Sequence, residues 1–135
     1  MVGILVIAHG TLGESLLQCA AHVLGRTPAR LAQIGVLSRD DPADIHQRAL
    51  AALATRDDGS GVLVLTDMFG ATPSNIALRL LAPGRIEGIA GVSLPMLVRA
   101  LNYRDQPLPT VLQKALSGGR DGVVRMTGPA ADAAA

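Results

Sequence analysis

Gly3-Ile4-Leu5-Val6-Ile7-Ala8-His9-Gly10 decides how the rest of the chain is read. Its apolar residues follow one another without polar alternation, which suits a strand buried on both faces, as in a parallel sheet. The next segment, residues 12–25, reads as a helix. Leu16, Leu17, Ala20, Val23 and Leu24 form an apolar face, while Glu14, Gln18, His22 and Arg26 step by four along the other. Gly25 supplies the stop.

The same alternation continues. Leu31–Leu37 is a second, weaker strand, and Ser38-Arg39-Asp40-Asp41-Pro42 is a turn opening a helix to about Ala54. After the loop Asp57–Gly61 comes a third strand, Val62–Leu65, then a second loop, Thr66–Ala71. Thr72-Pro73 reads as an N-cap with proline at the first helical position, starting a helix to about Leu81. Pro83-Gly84 breaks it, and Ile86–Val92 is a fourth strand. Pro95–Tyr103 and Pro109–Leu116 read as helices, and Gly118-Gly119 precedes a short last strand, Gly122–Met126. The pattern predicts an α/β fold: one doubly wound, mainly parallel sheet with helices on both faces, spanning residues 1–126. The tail, residues 127–135, has no apolar face to bury and is expected to fray.

Composition narrows the function. A length of 135 residues suits one domain, and 49% hydrophobic against 17% charged residues excludes a disordered chain. No apolar run approaches the length of a bilayer span and no signal-peptide pattern opens the chain, so a cytoplasmic protein is expected, touching membranes only through a transporter. Cys19 stands alone, which rules out a disulfide framework and a cysteine-based zinc site. A net charge of +1 gives no electrostatic footprint for nucleic acid. Phe69 and Tyr103 are the only aromatics, too few for a platform on which bases or sugars stack.

In an open parallel sheet, ligands bind at the carboxyl ends of the strands. That rule selects His9-Gly10-Thr11, Thr66–Asn75 and Ser93–Met96. His9 is the one histidine in these segments and Asp67 the one carboxylate. A neutral imidazole has one donor and one acceptor nitrogen. If Asp67 accepts the N–H, the other lone pair is left as a nucleophile, and the same carboxylate stabilises the imidazolium that forms. Gly70, Ala71, Thr72, Ser74 and Asn75 are small or polar residues at a helix start, and the Thr72 hydroxyl with the N–H groups of Thr72, Ser74 and Asn75 could hold an anion. Together these residues suit a transient phosphoryl group on His9, with no metal and no cofactor required. Each has a plainer use: a histidine after a strand is commonly structural, Asp67 could bond loop backbone, and Thr-Pro starts many helices.

The other candidates carry less. His22 and His46 lie off the apolar stripes of their helices, and Cys19 has no histidine placed to activate it. Asp40-Asp41 and Asp57-Asp58 read as solvated turn charges, and Arg79, Arg99 and Arg104 as surface cations. There is no P-loop and no Gly-x-Ser-x-Gly elbow. A receiver domain would need an acidic pair where His9-Gly10 stands.

At these residues the chain resembles the IIA component of the mannose family of the bacterial phosphoenolpyruvate-dependent sugar phosphotransferase system. The resemblance rests on Ile7–Gly10, Asp67–Asn75, Gly91–Leu97 and Gly119–Val123. It implies that His9 takes a phosphoryl group from the phosphocarrier HPr and passes it to a IIB partner. It also implies that Asp67 bonds the imidazole, that Thr72 lies against the phosphoryl group, and that Gly122–Met126 is exchanged between subunits of a homodimer. Where the family pattern often has two glycines before Ser/Thr-Pro, this chain has Gly70-Ala71. Two alternatives share the same chemistry: a regulatory phospho-switch acting on a target protein without a dedicated transporter, and the phosphoryl donor of dihydroxyacetone kinase.

Overall fold

The computed structural model describes residues 1–129. Four strands, β1 (Gly3–His9), β2 (Leu31–Val36), β3 (Val62–Thr66) and β4 (Ile86–Ala90), form one parallel sheet in the order β2-β1-β3-β4. Five helices connect and follow them: α1 (Leu12–Leu24), α2 (Pro42–Arg56), α3 (Thr72–Leu78), α4 (Leu94–Tyr103) and α5 (Leu108–Asp121). The expected α/β fold is present, and no helix among the described residues is long and apolar enough to cross a membrane.

The unbroken apolar run of β1 has the predicted consequence. Ile4, Val6 and Ala8 pack on one side with residues of α1, α4 and α5, while Leu5 and Ile7 pack on the other with α2 and α3. Residues 4–8 are fully buried, and each large aliphatic side chain removed from water contributes about 1.5–3 kcal/mol. The sheet therefore has no wet face, and only its edges and strand ends are free to carry chemistry.

Three expectations need correction. The last helix does not stop at Leu116: α5 runs on through Gly118 and Gly119 to Asp121. A Cβ on Gly118 would meet Arg99 and the Pro95 carbonyl, and one on Gly119 would meet Met96, so these glycines let α5 approach α4 closely. Gly122–Met126 is not a strand in the single chain; residues 123–128 have no regular structure, and Val123 and Met126 are 85% and 92% exposed. A strand needs a neighbour, and among the described residues this segment pairs with no strand. The N-cap of α3 is Ala71 rather than Thr72, because the Asn75 N–H reaches the Ala71 carbonyl and opens the helix one residue early. That helix also ends at Leu78, where bonds from Arg79, Leu80 and Leu81 three residues back tighten the chain before Leu81. Other boundaries moved by a few residues. The expected frayed tail lies mostly outside the described residues.

At the amino edge of the sheet, Arg104 does what surface position did not suggest. It is 5% exposed, and its guanidinium donates to the carbonyls of Val2 (3.0 Å), Arg30 (3.0 Å) and Ala29. Val2 N–H donates back to the Arg104 carbonyl at 2.8 Å. One side chain thus ties the end of α4 to the start of β1 and to the turn before β2. Replacing Arg104 with Leu leaves the Val2 and Ala29 carbonyls without donors and the Arg30 carbonyl with the Ile4 N–H alone, and we expect a loss of about 3 kcal/mol in urea-unfolding stability. Arg104→Lys should recover part of it, and an unchanged midpoint in the Leu variant would refute the clamp.

Candidate functional site

The strand order reverses direction between β1 and β3, and the crevice outside the carboxyl ends at such a point is where open α/β sheets bind ligands. Register places the pair of interest there. Ile7 pairs with Thr66, the last residue of β3, so β1 runs two residues further and sets His9 alongside Asp67. Gly10, at φ +54°, then turns the chain out of the sheet into α1.

His9 and Asp67 meet as predicted. Asp67 Oδ2 lies 2.7 Å from His9 Nδ1 and also accepts the His9 backbone N–H at 3.1 Å. The second oxygen, Oδ1, accepts the Met68 N–H at 3.0 Å. A carboxylate only accepts, so Nδ1 carries the proton and Nε2 presents its lone pair. The imidazole is 51% exposed and the carboxylate 12%. Burial pushes the Asp67 carboxyl up, but the hydrogen bonds from the His9 ring and backbone outweigh it and leave the group below its ordinary value.

An open cavity of about 390 Å³ lies in front of His9, lined also by Val36, Leu37, Ser38, Asp40, Pro42 and Thr72. Of the five residues expected to hold an anion, Thr72 alone lines it. Ser74 is buried, and its hydroxyl accepts the Gly70 N–H at 3.0 Å. The Asn75 N–H is spent on the Ala71 carbonyl at 3.0 Å, and the Ala71 N–H approaches the Met68 carbonyl at 3.5 Å. Gly70, Ala71, Ser74 and Asn75 therefore shape the loop that presents Thr72, with Gly70 at φ +89° making its sharp bend. The Ser93 segment, also selected from sequence, caps α4 by accepting the Met96 N–H and does not line this cavity. Sequence reading gives Ser38–Pro42 only as a turn, yet Ser38, Asp40 and Pro42, with Leu37 before them, form a wall of the cavity. The signal was available, since β2 also ends at the carboxyl edge, beside β1.

A depressed carboxyl stabilises the fold above its unfolded value near 3.8, and that contribution disappears as pH falls through the lower folded value. Acid unfolding of the protein should therefore show a stability loss below about pH 4 that is smaller in Asp67→Ala. Identical pH profiles for the two proteins would remove this linkage.

The family described as PTS system fructose IIA component matches residues 3–113. The PTS system mannose-specific EIIAB component of Escherichia coli (strain K12) is 33% identical over 125 residues, covering 90% of this chain and 38% of that protein. The chain thus spans well under half the length of that relative. The transcriptional regulatory protein LevR of Bacillus subtilis (strain 168) is 31% identical over 116 residues, 83% of this chain and 12% of that protein. In fold, the chain is similar to the mannose/sorbose specific IIA subunit of the phosphotransferase system from Enterococcus faecalis, with a TM-score of 0.84, 21% identity and coverage of 95% and 96% of the two chains. With the match spanning nearly the whole ordered sheet, the chain belongs to the PTS system fructose IIA component family.

Proposed function

We propose that this chain is a phosphoryl relay, taking a phosphoryl group from the phosphohistidine of HPr onto His9 and passing it to a IIB partner for sugar uptake. The observation that carries the reading is the 2.7 Å contact from Asp67 to Nδ1, which leaves Nε2 free on a residue that lines an open cavity. In the step, the Nε2 lone pair attacks phosphorus, the P–N bond to the donor imidazole breaks, and that imidazole leaves with the electron pair. No proton need move, because Nδ1 keeps its own and Asp67 balances the positive ring. Thr72, which lines the same cavity, would donate to one phosphoryl oxygen. Catalysis then rests on positioning and on donors fixed in advance.

The surroundings of His9 suit a protein rather than a small ligand. Leu12, Leu37, Met68 and Phe69 are all exposed, and all lie on segments leaving the carboxyl edge of the sheet. Such apolar side chains around a reacting group offer a surface on which donor and acceptor proteins dock in turn. A homodimer is part of the same reading: β4 has a free edge, and the exposed Gly122–Met126 segment has the strand-forming residues to pair with that of a second copy.

LevR supports a second reading, in which the phosphorylation state of His9 is read by a regulatory target. It uses identical chemistry, and genes for IIB and permease components beside this one would favour transport.

Incubation with phosphoenolpyruvate, enzyme I and HPr should label the chain at His9, with an acid-labile phosphate on Nε2. His9→Ala should take no label; undiminished labelling of that variant would sink the assignment. Asp67→Ala should fold and transfer about 10- to 100-fold more slowly, the worth of a hydrogen bond to a charged group. Sedimentation should give a dimer that becomes monomeric when residues 122–135 are deleted.

A further inference from the structure

The cavity in front of His9 has two walls, and Thr72 supplies only one. The other is the turn between β2 and α2, from which Leu37, Ser38 and Asp40 line the space. Its ends are joined twice: the Asp40 N–H donates to the Leu37 carbonyl at 3.0 Å, and Asp40 Oδ2 accepts the Leu37 N–H at 2.8 Å. Asp41 then accepts the Ala43 N–H at 3.0 Å and fixes the start of α2. Both flanks of the turn are held, so its central residues keep one position.

Those central residues are Ser38 and Arg39. Both are exposed, and neither side chain makes a hydrogen bond or ion pair among the described residues. Only Ser38 lines the cavity. A phosphoryl group in transfer spreads its charge over three peripheral oxygens, so donors on one side alone leave it poorly oriented. The turn wall also carries the Asp40 carboxylate, which repels such a group unless a donor intervenes. Ser38 is the hydroxyl on that wall, and Asp40, bound to Leu37 N–H, holds the turn that presents it.

Resting on the phosphoryl-relay reading, we propose that Ser38 is a phosphoryl-binding residue: its hydroxyl donates to a peripheral oxygen of the group on His9 Nε2, across the cavity from Thr72. Two hydroxyls on opposite walls then fix rotation of the group about the P–N bond, while Asp67 fixes the ring beneath it.

The experiment is rapid-quench transfer from phosphorylated HPr at saturating donor, with the lifetime of the phosphorylated chain followed separately. Ser38→Ala should slow transfer about 10-fold and Ser38→Thr should restore most of the rate, because threonine keeps the donor. Equal rates and lifetimes in wild type and Ser38→Ala would overturn the proposal. So would equal slowing in the Ala and Thr variants, which would assign the effect to the shape of the turn. Failure of the wild-type chain to label at His9 would instead overturn the relay itself, so the two failures are distinguishable.

Discussion

The central strand is buried on both faces, and the rest of the structure follows from that constraint. A strand of this kind must be covered by two helical layers, and α1, α4 and α5 on one side and α2 and α3 on the other do so. Covering both faces leaves reactive groups nowhere to stand except the strand ends. His9 is the first residue of β1 to leave the core, so the fully buried central strand carries an exposed imidazole at its end. Precision in phosphoryl transfer comes from such mounting.

Much of this was legible in the residues, for reasons that differ from element to element. Strands β1 and β3 were plain because double burial forces an unbroken apolar run that no exposed segment needs. The His9–Asp67 pair was legible because parallel topology dictates which ends of the strands converge. The glycines near the C-terminus misled: sequence alone does not distinguish a glycine that stops a helix from one that admits a neighbouring helix. Gly118 and Gly119 are of the second kind. Arg104 was misread for a related reason, since an arginine that satisfies three main-chain carbonyls looks in sequence like any surface cation. The contribution of the β2–α2 turn follows from strand order, which the residues alone do not fix: pairing of β2 with β1 puts the end of β2 next to His9.

The predicted anion cradle shows what local reading omits. Gly70, Ala71, Ser74 and Asn75 are small and polar in the way that close approach to a ligand demands. The Gly70 N–H, the Ser74 hydroxyl and the Asn75 N–H are spent within the loop and build its shape, and none of these four residues lines the cavity. Self-satisfaction of this kind is common where a loop must stay in place without a ligand. Thr72 is the residue of this loop that lines the cavity, and the β2–α2 turn lines it from the other side.

Asp67 Oδ2 serves two donors of the same residue, the ring and the main-chain amide of His9. Any change in the charge that this oxygen feels is therefore registered by the amide as well. The His9 amide proton becomes an internal spectroscopic reporter, its resonance following the state of the imidazole without a label on the ring. In the proposed relay, a nucleus in the backbone of the core strand would then track, in real time, whether the side chain above it is loaded or empty.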